Sequence, residues 1–382
     1  MHPIKVMSIF GTRPEAIKMA PVVKLLEEND SIHSLVCVTA QHRHMLDQVL
    51  SVFKINPDYD LGIMQNNQGL SDILCRAVSG LEEIIKKESP DLVLVHGDTS
   101  TTFAGALAAF YYQIKVGHVE AGLRTYDKYQ PFPEEMNRQL TGRIADLHFA
   151  PTTQAKENLL KENIKPECIF VTGNTVIDSL SITISKDYKF NTEVLNNVDF
   201  VNKRVITMTA HRRENLGKPL EIIFEAVRDI INENADTELV YAVHSNPAVK
   251  EPAHRILSGN SRIHLIDPLD IDDMHNLMNR SYLILTDSGG IQEEAPSLNK
   301  PVVVLRNVTE RPEGIIAGTL KLAGNEYKSI REITTCLLND TNEYKKMASA
   351  RNPFGDGKAS KRIVDAILYS FGINKEKPMD YN

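Results

Sequence analysis

Short apolar runs alternate with longer amphipathic stretches along the first half of the chain. The runs cover residues 5–10, 34–39, 91–96, 115–120, 147–151 and 168–172. They are rich in β-branched residues and nearly continuous in hydrophobicity, the pattern of strands buried on both faces. Between them, apolar residues recur at helical spacing. Ile17, Ala20, Pro21, Val22, Leu25 and Leu26 form one such set; Ile73, Leu74, Ala77, Val78, Leu81, Ile84 and Ile85 form another. Strand and helix in alternation predict a parallel sheet with right-handed crossovers.

The rhythm restarts in the second half. Strands are expected at 204–209, 238–243, 263–266, 282–286 and 301–305, with a helix at 220–232 carrying Leu220, Ile223, Phe224, Val227, Ile230 and Ile231 on one face. Residues 185–203 are polar and read as the approach to a second domain. Residues 359–371 are amphipathic again, and Gly372 is a helix stop. The polar tail 374–382 is expected to be loose. The pattern as a whole predicts an α/β protein of two doubly wound domains. Such sheets bind ligands beyond the carboxyl ends of their strands, so a central cleft is expected where the two domains face each other.

Composition narrows the classes. The chain has 382 residues, long enough for full cores without disulfides or metals. Its 43 basic and 50 acidic residues leave a net charge of −7, which argues against a nucleic-acid surface. No run of apolar residues is long enough for a membrane span, and residues 1–5 lead into a strand rather than a signal peptide. Cys37, Cys75, Cys168 and Cys336 are scattered with no CxxC, so the expected compartment is the reducing cytoplasm.

Candidate chemistry lies just after the strands. The first run leads to Gly11-Thr12-Arg13-Pro14-Glu15, where Thr12 and Glu15 fit a capping box. Arg13 and Lys18 add positive charge to the start of that helix. The alternative is a capped helix with solvated basic residues. Asp98, Glu120 and Glu134, with Glu135 beside it, stand at successive strand or helix ends. Each alone reads as a cap or an ion-pair partner. Together they suit paired acid and base work. His211, followed by Arg212 and Arg213, reads as an ordinary polar loop or as a cationic mouth for a diphosphate. Ser288-Gly289-Gly290 lets backbone approach a pyrophosphate, and Glu294 is placed to accept from sugar hydroxyls. Another charged cluster is Thr309-Glu310-Arg311-Pro312-Glu313-Gly314. His42-Arg43-His44 has no third ligand at zinc-site spacing. GxGxxG, GxxxxGK[ST] and GxSxG are all missing.

The blocks Gly11-Thr12-Arg13-Pro14-Glu15-Ala16-Ile17-Lys18, His96-Gly97-Asp98-Thr99, His118-Val119-Glu120-Ala121-Gly122-Leu123-Arg124, Pro133-Glu134-Glu135-Met136-Asn137-Arg138, His211-Arg212-Arg213-Glu214-Asn215, residues 286–296 and Thr309-Glu310-Arg311-Pro312-Glu313 occur in order. This set resembles the bacterial non-hydrolysing UDP-N-acetylglucosamine 2-epimerases. The resemblance implies a GT-B fold. One Rossmann-like domain would take residues 1–172 and be joined by a returning helix at 355–373. A UDP-binding domain would take 173–354. It implies reversible conversion of UDP-GlcNAc to UDP-ManNAc through a 2-acetamidoglucal intermediate, without metal or NAD, for cell-surface polysaccharide synthesis. It assigns Asp98, Glu120, Glu134 and His211 to catalysis. It assigns Arg13, Lys18, His211, Met274, Ser288, Gly289, Gly290, Glu294 and Arg311 to UDP and sugar, with Asp98 and Glu120 also touching substrate. At Met274 some members carry an aromatic residue near the uracil; a methionine can fill that space. A homodimer and activation by UDP-GlcNAc itself are further expectations. A hydrolysing epimerase, a GT-B glycosyltransferase and a non-catalytic sugar-nucleotide sensor are the competing readings.

Overall fold

The computed structural model describes residues 2–40, 43–65 and 68–381. Backbone contacts group the chain into two compact units. Unit 1 is Met1–Ile182 together with Gly355–Asn382, and unit 2 is Thr183–Phe354.

The sheet of unit 1 holds β1 (Ile4–Phe10), β2 (Ile32–Val38), β3 (Tyr59–Asp60), β4 (Leu92–His96), β5 (Lys115–Val119), β6 (Leu147–Ala150) and β7 (Ile169–Val171). Their order is β3-β2-β1-β4-β5-β6-β7, all parallel. The sheet of unit 2 holds β8 (Arg204–Thr209), β9 (Thr237–Ala242), β10 (Ile263–Ile266), β11 (Leu283–Thr286), β12 (Val302–Val304) and β13 (Leu320–Leu322). Their order is β10-β9-β8-β11-β12-β13, again all parallel. Each sheet grows outward in both directions from a central pair. The order reverses between β1 and β4 in unit 1, and between β8 and β11 in unit 2. At such a switch point the loops leaving the two strands diverge and leave room for a ligand.

Most strand residues are apolar and buried, as expected of parallel strands flanked by helices. All five residues of β4 are buried. The helix Lys218–Glu233 buries the face expected of it: Leu220, Ile223, Phe224, Val227, Ile230 and Ile231 are each fully buried. Each such side chain contributes about 1.5–3 kcal/mol. β3 and β13 are short, carry a charged residue each and do not stand out in the sequence.

The stretch 185–203 belongs to unit 2 and packs on it. Phe190, Leu195 and Val198 are buried in one cluster with Val240, Ile266 and Leu277. The buried Asp273 carboxylate accepts from Tyr188 Oη at 2.8 Å and from the Asn191 and Thr192 amides at 2.9 Å.

The helix Ala359–Ser370 returns to unit 1 and packs against the helix Arg13–Glu27. Asp178 caps its start, accepting from Ser360 N at 2.7 Å and Ala359 N at 3.2 Å. Gly372 ends it at φ +73°. The expectation of a loose tail is overturned. Asp380 accepts from Val171 N at 2.9 Å and from Lys156 Nζ at 2.7 Å, and Tyr381 N donates to Val171 O at 2.7 Å. Tyr381 is buried. The free edge of β7 offers unpaired backbone groups, and a polar segment can satisfy them without any apolar periodicity.

Candidate active site

In unit 1 the site starts at the β1 and β4 ends. Gly11 ends the approach of β1, and a Cβ there would overlap the Thr39 and Thr101 hydroxyls. These hydroxyls bond each other at 2.9 Å. The helix Arg13–Glu27 then begins. Glu15 is buried and accepts from Gly11 N at 2.9 Å and Thr12 N at 2.7 Å through one carboxylate oxygen. Its other oxygen accepts from Thr99 Oγ1 at 2.6 Å and Thr102 Oγ1 at 3.1 Å. One carboxylate therefore locks the loop carrying Arg13 to the loop carrying Asp98. Burial raises the pKa of Glu15, and these hydrogen bonds oppose the rise.

Asp98 follows Gly97, which has φ +69°. The Asp98 carboxylate meets Arg138 Nη2 at 2.6 Å and Nε at 2.9 Å. Its backbone carbonyl accepts from Asn137 Nδ2 at 2.9 Å. Burial raises its pKa, Arg138 pulls it down, and the charge of Glu120 pushes it up again. Asp98 and Glu120 thus sense each other.

Glu120 has φ +62°. A non-glycine residue in this left-handed region costs about 1–3 kcal/mol and persists only where its surroundings over-determine it. Here they do. Gly97 N donates to Val119 O at 2.9 Å, and Ala121 N to Phe149 O at 3.0 Å. The Glu120 carboxylate pairs with Lys18 and accepts from Asn174 Nδ2 at 2.8 Å. His96 Nε2 stands 3.5 Å from its second oxygen. Burial pushes the His96 pKa down to about 4, so its ring is neutral near pH 7. His118 is also neutral and donates from Nε2 to Gly97 O at 2.7 Å.

Glu134 and Glu135 are neighbours with different surroundings. Glu135 is fully buried and accepts from Thr125 N, Tyr126 N, Gln139 Nε2 and Arg138 Nη1 at 2.9–3.2 Å. It closes a loop. Glu134 opens the helix Glu134–Ile144, is half-buried, and makes no hydrogen bond or ion pair with any described residue. Through Asn137 and Arg138, the same helix is fastened to Asp98. The structure therefore brings Lys18, Asp98 and Glu120 together and ties the helix of Glu134 to them. Arg13 is half-buried at the first position of its helix.

In unit 2 the β8 and β11 ends meet in the same way. Asp287 is fully buried and accepts through Oδ2 from His211 N and Arg212 N, both at 2.8 Å, and from Asn215 Nδ2 at 3.1 Å. Arg212 Nε donates to Asp287 O at 3.2 Å. Ser288, Gly289 and Gly290 follow. A Cβ on Gly289 would lie 3.8 Å from both Arg212 Nη2 and Arg311 Nη2, so two guanidinium groups flank this turn. Arg311 is fixed by an ion pair with buried Glu293, and its amide donates to Thr309 Oγ1 at 3.1 Å. Glu294 faces His275 Nε2 at 3.3 Å, and His275 Nδ1 meets Thr183 Oγ1 at 2.7 Å. Met274 is half-buried between two apolar clusters. His42, with the side chains of Arg43 and His44, lies outside the described residues. No group of three metal-ligating side chains occurs among the described residues, and none of their helices is long and apolar enough to cross a membrane.

Sequence reading passed over Glu15, His96, Asn174, His275, Asp287 and Glu293 as functional supports. Glu15 carried a signal, its capping-box spacing. His96, Asp287 and Glu293 lie inside the blocks that carry the family resemblance, but nothing in the sequence marks them, Asn174 or His275 as supports, because each acts through a contact distant in sequence.

A model of the UDP-N-acetylglucosamine 2-epimerase family matches residues 24–368. The chain belongs to this family. A UDP-N-acetylglucosamine 2-epimerase of Bacillus subtilis is 59% identical over 378 residues, 99% of this chain and 98% of that one. A crystal structure of UDP-N-acetylglucosamine 2-epimerase superposes with TM-score 0.93 at 56% identity, covering all of both chains. The Neisseria meningitidis enzyme, solved bound to UDP-GlcNAc, matches with TM-score 0.85 at 49% identity, over 96% of this chain and all of that one. The family model starts after Arg13 and Lys18, so for these two positions the likeness rests on the full-length relatives. The two-sheet GT-B architecture expected of an epimerase of this family is the one observed.

Proposed function

We propose that this epimerase is of the non-hydrolysing type and interconverts UDP-GlcNAc and UDP-ManNAc by elimination and re-addition of UDP. The observation that carries the reading is the pair Asp98 and Glu120 beside Lys18, with Glu134, unpartnered among the described residues, on the helix fastened to Asp98. The C2 proton of the sugar is too weakly acidic to be removed alone. Removal coupled to departure of UDP makes it feasible. One carboxylate takes the C2 proton as the C1–O bond breaks, and the electron pair leaves with the diphosphate. A C1=C2 double bond forms, giving 2-acetamidoglucal. A carboxylic acid on the opposite face then protonates C2 as the diphosphate oxygen re-adds to C1. Glu120 and Glu134 share these transfers, and Asp98 positions them or takes part.

The departing diphosphate needs cations and donors. Arg13, Lys18, His211, Arg311 and the Ser288-Gly289-Gly290 turn supply them. The flanking guanidinium groups of Arg212 and Arg311 support this assignment. Glu294 accepts from the ribose and Met274 lies against the uracil. The site works without metal or NAD. Unit 1 carries the carboxylates with Arg13 and Lys18, and unit 2 carries the remaining UDP-binding residues. The protein acts in the cytoplasm, which its four free cysteines suit. It forms a homodimer, for which the exposed Phe110 and Tyr111 are suited. UDP-GlcNAc acts as an activator as well as a substrate, and the product feeds cell-surface polysaccharide.

The test is incubation with UDP-GlcNAc in D2O, followed by proton NMR. UDP-ManNAc carrying deuterium at C2 is the expected product. Free ManNAc with UDP would mean the hydrolysing reaction. Turnover that requires an acceptor would mean glycosyl transfer, and binding without turnover a sensor.

A further inference from the structure

Asp287 has a duty that the His211 loop does not exhaust. Its Oδ2 is saturated by three donors, two of them backbone amides. Its Oδ1 is equally buried and accepts no hydrogen bond from the described residues. Such an orphan oxygen is costly and calls for a partner. His211 Nδ1 lies 3.7 Å from it. A shift of under about 1 Å would bring the two within hydrogen-bond range. His211 is a little over one-third exposed, so one ring edge faces the carboxylate while the ring stays reachable.

We infer that Asp287 is a positioning residue that fixes His211 as the Nδ1–H tautomer and serves as the ring's counter-charge when a bound diphosphate draws a second proton onto Nε2. The inference rests on the reading of His211 as the donor to the leaving phosphate. In the Nδ1–H tautomer Nε2 is a lone-pair acceptor and cannot donate. The proton taken from solvent as the diphosphate binds turns Nε2 into a donor, and it is held while the C1–O bond breaks.

The surroundings set the balance. Arg212 and the ring of His244, stacked on His211 at 5.4 Å, oppose a charge on it. Glu214 and Asp287 favour it, and burial opposes it most strongly. Arg306 comes from the segment after β12 and spends its charge on Glu214 and Glu310. Tyr241, packed from β9, gives its hydroxyl proton to Ala210 O. The ring is therefore held below its ordinary pKa in the free protein, and Asp287 leaves it within reach of protonation. An opposite charge at this separation moves a pKa by about 1–3 units.

The experiment reads the His211 ring by nitrogen NMR in the full chain, the signals being assigned by their loss in His211→Gln. The neutral Nδ1–H tautomer is expected in the free protein. Addition of UDP is expected to raise the ring pKa, and in Asp287→Asn the UDP-bound value should fall by at least about one unit, a tenfold loss of the protonated form. An Nε2–H tautomer in the unmodified protein overturns the inference, as does an unchanged pKa in Asp287→Asn. Should that variant not fold, the tautomer in the unmodified protein decides alone. Loss of epimerisation in D2O with the Nδ1–H tautomer present would sink the catalytic reading and leave this one standing.

Discussion

Glu15→Ala should destabilise unit 1 far more than Glu15→Gln does. Alanine removes the acceptor of two backbone amides, Gly11 N and Thr12 N. Both residues are buried, so water does not replace it. The hydroxyls lose less. Thr102 Oγ1 keeps His96 O at 2.5 Å, and Thr99 Oγ1 keeps Thr102 Oγ1 at 3.1 Å. Two orphaned donors at about 1–3 kcal/mol each, less the relief of an ionised group held in the interior, give about 3 kcal/mol. Glutamine keeps a carbonyl for the two amides and turns its NH2 toward the two threonine oxygens, at a cost of about 1 kcal/mol. Urea unfolding gives the totals, and hydrogen exchange over residues 8–20 shows whether the loss is local. The two variants should also differ in pH dependence from the parent. Because the folded pKa of Glu15 is raised, its contribution is full below its ordinary value near 4.5 and fades as pH rises through the folded value. The gap between parent and Glu15→Gln should therefore narrow toward neutral pH. Equal losses for Ala and Gln, or a loss below about 1 kcal/mol for Ala, would refute the claim that this carboxylate locks the two loops.

Burial pushes His96 and His148 down to about 4 and His118 to about 3, all in unit 1. Their folded pKa values are depressed, so stability is lost as pH falls below about 6.5, approaching 2 kcal/mol per ring at pH 5; hydrogen exchange should show unit 1 opening at higher pH than unit 2. Gly122 sits at φ +89°, and a Cβ there would overlap the Ala155 carbonyl oxygen; Gly122→Ala should cost over about 3 kcal/mol in denaturant unfolding, and a mild loss would mean the helix after β6 yields. Glu120→Gln and Glu134→Gln should each lower kcat by about 100- to 10,000-fold with the fold intact. Near-normal turnover in both, measured by coupled assay or NMR, would remove them from the chemistry.

The strands were legible because parallel strands between helices are apolar on both faces, and the residues just past them could then be inspected in turn. That procedure reached Asp98, Glu120, His211 and the Ser288 turn, all of which stand at the ends of β4, β5, β8 and β11. β3 and β13 escaped it, since Tyr59-Asp60 and Leu320-Lys321-Leu322 each carry a charged residue and form no continuous apolar run like the three valines of β12. The partners of the site escaped it for another reason. Asn174 reaches Glu120 across 54 residues, and Asp287 reaches His211 across 76. Only the folded sheet order makes them neighbours. Glu134 and Glu135 show the same limit at close range: two identical letters, one buried and held by two loop amides, Gln139 and Arg138, the other half-buried and unpartnered among the described residues.

The returning segment has a consequence for synthesis on the ribosome. Domains usually fold in the order in which they emerge. Here all of unit 2 has been translated before the helix Ala359–Ser370 exists. Until then Ile363, Ala366 and Ile367, which that helix buries, are missing from unit 1. The edge of β7 waits longer still, for Asp380 and Tyr381. The unit begun first is thus completed last. A nascent chain paused at residue 354 would carry every residue of unit 2 beside a first unit whose apolar seat for the last helix is open to chaperones.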